Sequence, residues 1–129
     1  MTYVLDTSAL MRLFLDEPGA DQVQSVLEGK EAVFLPFMTL MELRYVLPRR
    51  FSLDRVMEII EILRATEAGV VESDPDWGVT AAEVKSRGGL SLADAWIAAL
   101  ALIRNATLLH CDPEFDTVRG LRATKLAPQ

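Results

Sequence analysis

Residues 3–10 constrain the fold of this chain more than any other stretch of the sequence. They run YVLDTSAL: three residues suited to a β-strand, then Asp6, then two hydroxyl residues that lead into an apolar helical pattern. A strand without polar alternation is typical of a parallel sheet that is covered on both faces. Ligands bind outside the carboxyl ends of such strands, which is where Asp6 is expected. Taken alone, the stretch slightly favours a simpler role for Asp6 as the N-cap of the following helix.

Length and composition predict a single globular domain over residues 1–129. Half of the residues are hydrophobic and a quarter are charged, and a chain of this length can bury a core without disulfides. The single cysteine, Cys111, fits a reducing compartment, so we expect a cytoplasmic protein. The start lacks the pattern of a signal peptide. No apolar stretch is long enough to span a bilayer, so we expect no membrane association.

The net charge of −6 argues at first against a nucleic-acid partner, because such proteins usually carry a basic surface. Two considerations weaken this argument. Clustered carboxylates that bind a divalent metal no longer present their formal charge. An acidic surface is also the natural complement of a basic partner protein. Charge alone therefore decides neither for nor against nucleic acid.

Strand and helix signals alternate along the chain. The predicted strands are residues 3–5, 32–36, 70–72, 106–110 and, at a sheet edge, 122–126. The predicted helices are residues 8–15, 18 to a stop at 29, 39–48, 52 to a stop at 69, 75 to a stop at 88–89, and 92–104, the last apolar all round. A loop or short turn is expected at residues 115–116. This alternation predicts an α/β fold with a mainly parallel sheet and helices on both faces.

Four carboxylates are notable because of where they occur. Asp6 and Asp112 directly follow predicted strands, while Glu42 and Asp94 lie in the predicted first turns of helices. Asp116 follows four residues after Asp112. These positions can converge on one edge of a doubly wound sheet. The four acids are therefore candidates for a common site.

Each acid considered alone has a simpler explanation. Asp94 is the only ionisable residue of its helix between residues 92 and 103, and burial of an unpaired carboxylate is costly. However, it follows Ser91 by three residues, which is the spacing of a capping box. Glu42 stands in the same relation to Thr39. For either acid alone, capping explains the sequence at least as well as ligand binding.

Together the acids favour a metal site. Carboxylates within about 4–6 Å raise each other's pKa unless a cation lies between them, and oxygen ligands favour Mg²⁺ or Mn²⁺. One histidine and one cysteine, His110 and Cys111, do not provide a zinc-binding spacing. The sequence also lacks a nucleophile elbow, a P-loop and a dinucleotide-binding glycine motif. A metal ion in an acidic pocket indicates phosphoryl chemistry in which a metal-activated water is the nucleophile. The hydroxyls of Thr7 and Ser8 either hold this site or simply cap the helix.

Four ordered segments resemble the PIN domain family and, within it, the VapC-type toxins of toxin–antitoxin pairs. They are residues 4–10, 38–43, 90–99 and 107–116, which with their spacing cover the whole chain. The resemblance implies a three-layer α/β/α fold. It also implies a Mg²⁺- or Mn²⁺-dependent endoribonuclease that hydrolyses RNA phosphodiesters.

The resemblance further implies specific site residues and partners. The catalytic and metal-binding residues would be Asp6, Glu42, Asp94 and Asp112, with Asp116 as a further metal ligand and Ser8 as a support for Asp6. Relatives are usually homodimers, and a small cognate antitoxin inserts into their active-site groove. The pair His110-Cys111 stands where many relatives have threonine followed by a variable residue, so His110 is first a strand-end residue and only second a substrate contact.

Two other functions remain open from the sequence. A non-catalytic PIN-fold module would bind RNA or protein without cutting, although the presence of all four acids argues against it. A phospho-receiver domain would show adjacent acids after its first strand, whereas this chain has Asp6 alone, and Lys125 is its only late lysine. Four arginines are candidate phosphate contacts, although a solvated surface is the simpler explanation for each: Arg44, Arg49, Arg50 and Arg87.

Overall fold

A five-stranded, fully parallel sheet forms the middle layer of the protein. The computed structural model describes residues 1–126. The strands are β1 (Thr2–Leu5), β2 (Ala32–Pro36), β3 (Gly69–Val71), β4 (Thr107–His110) and β5 (Arg122–Lys125). Their spatial order is β3-β2-β1-β4-β5, and every neighbouring pair is parallel. The predicted parallel sheet is therefore confirmed, with β5 at an edge.

Six helices connect the strands and cover both faces of the sheet. They are α1 (Thr7–Phe14), α2 (Ala20–Glu28), α3 (Phe37–Val46), α4 (Leu53–Ala65), α5 (Pro75–Ser86) and α6 (Leu92–Arg104). Two short 3-10 helices, Leu47–Arg49 and Pro113–Thr117, complete the elements. Within residues 1–126, no helix has the length and apolar character that a bilayer span requires.

The side chains of β1 alternate between two hydrophobic cores. Leu5 packs into a core shared with α1, α2 and α4, while Val4 packs into a core shared with α5 and α6. Both residues are fully buried. Helix α3 contributes to both cores, through Leu43 on one side and Met38 on the other. A strand buried on both faces needs no polar alternation, which explains why the start of the sequence is continuously apolar.

The register of the central strands brings their carboxyl ends together. Leu5 pairs with Leu109, and the backbone N–H of Asp6 donates to the carbonyl of Leu109 at 3.1 Å. Residues that follow β1 and β4 therefore lie at one edge of the sheet. The start of α1 is also fixed here, because Asp6 is its N-cap and accepts from the backbone N–H of Ser8.

The predicted start of α2 at Pro18 is wrong. The helix begins at Ala20, after Gly19 at a φ of 98°. That left-handed conformation is accessible to glycine and cannot continue a helix, so Pro18 lies in the preceding turn. The Arg12 guanidinium donates to the Pro18 carbonyl at 2.6 Å and fixes this turn.

The predicted capping box at the start of α3 is also wrong. Helix α3 begins two residues before Thr39, with Pro36 as its N-cap, so Glu42 lies in the second turn. The Thr39 hydroxyl is buried and donates to the carbonyl of Leu5 at 3.1 Å. Thr39 therefore joins α3 to the end of β1 and does not cap its own helix.

Several other predicted ends are shifted. Helix α4 ends at Ala65, where the Thr66 hydroxyl donates to the Leu63 carbonyl at 2.7 Å, and not at Gly69, which belongs to β3. Residues 115–116 lie in a 3-10 helix. Helix α6 is not buried on every side, because its apolar residues Leu92 and Ile103 are exposed. Ser91 caps α6 as its spacing to Asp94 predicted, and Ser52 is the N-cap of α4.

Candidate metal centre

Acidic side chains at the carboxyl edge of the sheet form two overlapping groups. In the first, oxygen atoms of Asp6, Glu42 and Asp94 all lie within 4.8 Å of one another. In the second, the same limit holds for Asp94, Asp112 and Glu114. Asp94 belongs to both groups. The four acids singled out in the sequence therefore lie side by side, and α3 and α6 carry two of them to the ends of β1 and β4.

Asp6 is held tightly but keeps one oxygen free of hydrogen bonds. Its side chain is only 3% exposed. Oδ2 accepts from both the backbone N–H and the hydroxyl of Ser8, whereas Oδ1 is buried and has no hydrogen-bond partner. Burial raises the pKa of Asp6 to about 6, opposed by the Ser8 hydrogen bonds and assisted by the charge of Glu42. Asp6 thus combines a capping role with a buried oxygen that has no hydrogen-bond partner.

Glu42 is positioned by hydroxyl groups from two helices. Its Oε1 accepts from the Thr7 hydroxyl at 2.6 Å, and its Oε2 accepts from the Tyr45 hydroxyl at 3.4 Å. Thr7 is the first residue of α1, and Tyr45 lies one turn further along α3. The contact with Thr7 does not follow from local spacing, because residues 7 and 42 are far apart in sequence.

The pKa of Asp94 is raised more strongly than that of Asp6. Burial, which is the largest cause, and the charges of Asp6, Glu42 and Asp112, in that order, together raise its pKa to about 7. The hydrogen bond with Ser91 works in the opposite direction. The backbone N–H of Asp94 donates to the Ser91 hydroxyl at 3.2 Å, so the serine caps the helix as expected. Capping does not explain why the carboxylate lies among three other acids.

Asp112 and Glu114 extend the site beyond β4. Asp112 caps the 3-10 helix Pro113–Thr117, and its Oδ1 accepts from the backbone N–H of Glu114 at 2.9 Å. Glu114 was not among the acids expected from the sequence. The sequence feature that could have indicated Glu114 is its position two residues after Asp112, in a turn that begins where a central strand ends.

Asp116 and His110 lie apart from the two acidic groups. Asp116 is exposed, and its Oδ2 lies 3.8 Å from Nζ of Lys125. His110 is 0% exposed, packs edge-to-face against Phe115, and accepts at Nδ1 from the backbone N–H of Asp112 at 3.1 Å. Burial lowers the pKa of His110, which keeps the ring neutral. His110 is therefore a strand-end residue, as expected, and its hydrogen bond holds the turn that carries Asp112.

The acidic groups fit a hard divalent cation. The donors are all carboxylate oxygens, which Mg²⁺ and Mn²⁺ prefer. A buried carboxylate oxygen without a donor is costly, and Asp6 Oδ1 is such an atom. A cation between the acids would satisfy this oxygen and remove the mutual repulsion that raises the pKa of Asp94.

The four candidate phosphate contacts are all exposed: Arg44, Arg49, Arg50 and Arg87. Arg49 is near enough to the site for its charge to lower the pKa of Tyr45, against a stronger opposite effect from Glu42. It is the arginine that the structure links most directly to the acids.

The sequence matches a family model over nearly its whole length. Residues 3–121 match the model described as PIN domain. The chain belongs to the PIN domain family. A search of curated proteins by sequence gives no match for this PIN domain.

Solved structures share the fold of this PIN domain at low sequence identity. VapBC2 from Rickettsia felis, bound to a DNA fragment from its promoter, is 17% identical with a TM-score of 0.80, and the match covers 97% of this chain and 98% of that one. VapBC-1 from nontypeable Haemophilus influenzae is 24% identical with a TM-score of 0.76 and the same coverage. VapBC-5 from Mycobacterium tuberculosis, of the VapBC family of toxin–antitoxin systems, is 21% identical with a TM-score of 0.68, covering 96% and 98%. The likeness confirms the α/β/α fold.

Proposed function

We propose that this PIN domain protein is the toxin of a type II toxin–antitoxin pair and acts as a Mg²⁺- or Mn²⁺-dependent endoribonuclease. The observation that carries the proposal is the pair of acidic groups joined at Asp94. The likeness to VapBC toxin–antitoxin proteins supports the choice of this class within the family. The substrate class, RNA, rests on the resemblance of the sequence to VapC-type toxins.

Asp6, Glu42 and Asp94 would hold one divalent cation. Asp94, Asp112 and Glu114 form a neighbouring group with the same donor chemistry. When bound, such a cation lowers the pKa of a coordinated water and stabilises charge on a phosphate oxygen. Asp116 would join only after leaving Lys125, which lies 3.8 Å away.

The side chains around the acids favour water as the nucleophile. The Ser8 hydroxyl donates to Asp6 and accepts from the backbone N–H of Cys111 at 3.0 Å, so it is not available as a nucleophile. The Thr7 hydroxyl is engaged with Glu42. Burial raises the pKa of the Cys111 thiol, which disfavours the reactive thiolate. With these groups occupied, hydrolysis needs no covalent intermediate, and the carboxylates orient the reacting groups.

The proposal includes protein partners. A net charge of −6 complements a basic segment of a small antitoxin, which would also shield the acidic groups from one another. Large apolar side chains that are exposed on α3 and α4 provide further surface for an antitoxin or for a second copy in a homodimer: Met41, Leu53, Met57 and Ile62.

The deciding experiment compares Asp94→Asn with the wild-type chain on total RNA of the host. We expect the wild type to cleave RNA with Mg²⁺ or Mn²⁺ and to lose activity with EDTA. The variant should be inactive yet folded, because the change removes a strained charge and keeps the shape. Asp54→Asn, at an exposed position on α4, is the matched control and should stay active. Full metal-dependent activity in Asp94→Asn would refute the site, and RNA binding without cleavage by the wild type would favour the non-catalytic module.

A further inference from the structure

Tyr45 differs from every other aromatic residue of the protein by its exposure. The chain has two tryptophans, two tyrosines and five phenylalanines. Tyr45 is 52% exposed, whereas each of the others is buried or half-buried. It belongs to neither hydrophobic core and has no ring contact with another aromatic side chain in residues 1–126. The ring therefore contributes little to the packing of the fold.

The exposed ring lies at the mouth of the acidic site. Its hydroxyl is 3.4 Å from Oε2 of Glu42. The charge of Glu42 raises the pKa of Tyr45, and Asp94 adds a smaller effect in the same direction. The hydroxyl thus lies near acids from both α3 and α6. At 3.4 Å the hydrogen bond is long and weak, so fixing Glu42 is not enough to explain an aromatic residue here.

Arg49 carries a positive charge one helical turn beyond Tyr45. It ends the 3-10 helix Leu47–Arg49, and its side chain is exposed. Its charge opposes the rise in the pKa of Tyr45 that Glu42 causes, although the effect of Glu42 is larger. No hydrogen bond or ion pair of Arg49 is present among residues 1–126. An exposed aromatic ring next to a free guanidinium is the pairing by which proteins bind single-stranded nucleic acid.

We propose that Tyr45 stacks against a nucleobase of a single-stranded RNA substrate while Arg49 contacts a neighbouring phosphate. The inference rests on the proposed function and specifies how the site selects its substrate. A divalent cation held by the acids would bind the scissile phosphate, and the ring would bind an unpaired base next to it. Duplex RNA does not expose the face of a base, so the site would favour loops and single-stranded ends.

The test measures binding of a short, fluorescein-labelled single-stranded oligoadenylate by fluorescence anisotropy. Every chain carries Asp94→Asn to prevent cleavage. Tyr45→Ala should weaken binding about 5- to 150-fold, the range found for loss of one stacked base. Tyr45→Phe should bind like the parent, because the ring remains. Arg49→Ala should reduce the slope of log affinity against log salt concentration by about 0.7. Controls are Val79→Ala on α5 and Arg64→Ala on α4, both at exposed positions.

A second readout separates stacking from an effect through Glu42. Calorimetry with Mn²⁺ on chains with an intact Asp94 should give the same affinity for wild type, Tyr45→Phe and Tyr45→Ala. If Tyr45→Phe loses metal affinity, the hydroxyl positions Glu42 and the stacking proposal is overturned. Parent-like RNA binding by Tyr45→Ala, in a protein whose wild type cleaves RNA, overturns stacking and leaves the proposed function intact. Absence of RNA binding by the parent, with no cleavage by the wild type, overturns both.

Discussion

Thr7 donates a hydrogen bond of 2.6 Å to Oε1 of Glu42 and so joins the first residue of α1 to the second turn of α3. The Thr39 hydroxyl makes a parallel connection from α3 to the carbonyl of Leu5. Through these two contacts α3 is fixed against the end of β1. The separation between Glu42 and Asp6 is thereby set by the fold, even though the two carboxylates repel each other.

Removal of the Thr7 hydroxyl should weaken metal binding more than it weakens the fold. Thr7→Ala leaves Glu42 free to turn away from Asp6, and loss of a group that orients a metal ligand typically costs about 10- to 100-fold in affinity. Thr7→Ser keeps the hydroxyl and should retain most of the affinity. The measurement is Mn²⁺ titration by calorimetry, with Thr80→Ala on the exposed side of α5 as control. Equal affinities for Thr7→Ala and wild type would show that Glu42 needs no such support.

Asp94→Asn should stabilise the metal-free protein at neutral pH. The pKa of Asp94 is about 7 in the folded state against 3.8 for the unperturbed group, mainly because of burial. Between these two values the folded state binds more protons than the unfolded state, so the free energy of unfolding falls as pH rises. The asparagine does not titrate and avoids this loss. Above the folded pKa the gain should be at least about 1 kcal/mol, since one pKa unit corresponds to about 1.4 kcal/mol.

The measurement for Asp94→Asn is urea unfolding in EDTA at a series of pH values. The free energies of unfolding of wild type and variant should diverge as pH rises from 3.8 to about 7, and they should converge below 3.8. Asp6, whose pKa is raised to about 6, also makes the free energy of unfolding fall as pH rises, and it does so in both proteins. A variant that is less stable than wild type across the whole range would mean that Asp94 is satisfied by contacts other than a metal.

The sequence predicted those parts of the site that depend on local signals. Asp6 could be located because an apolar strand ends at it, and Asp94 because it is the only ionisable residue in an apolar helix. Ser91 was recognisable as a cap from its spacing to that helix. Each of these signals lies within a few residues of the position it describes, and each describes where the backbone changes direction.

Contacts between distant segments could not be predicted in the same way. Thr39 and Glu42 have the spacing of a capping box, but their partners are Leu5 and Thr7, more than thirty residues away. A local rule therefore assigned the right residues to the wrong hydrogen bonds. Exposure is equally hidden in the sequence, which is why Tyr45 could not be distinguished from the other aromatic residues.

Ser8→Ala should destabilise the protein and raise the pKa of Asp6 further. The hydroxyl donates to Asp6 Oδ2 and accepts from the backbone N–H of Cys111, so the alanine leaves the Cys111 N–H unpaired and leaves Oδ2 with the backbone N–H of residue 8 alone. A partly buried group left unpaired costs about 1–3 kcal/mol. The measurement is urea unfolding at neutral pH. Ser86→Ala, whose hydroxyl contacts only its own helix on the surface, is the control and should be nearly neutral. Equal effects of the two substitutions would contradict the role of Ser8.

Metal binding by the acidic groups should depend on pH with a definite sign. Asp6 and Asp94, with pKa values of about 6 and about 7, must lose protons before they bind a cation. Binding therefore releases protons, and affinity for Mn²⁺ should rise as pH increases through this window and level off above it. Because a ligand that binds only the folded state stabilises it, the rise in Tm on adding Mn²⁺ should grow over the same window. Calorimetry at several pH values on wild type and Asp6→Asn measures both effects. Asp6→Asn removes one donor and should abolish binding, whereas a pH-independent affinity in the wild type would mean that the metal binds elsewhere on this acidic protein.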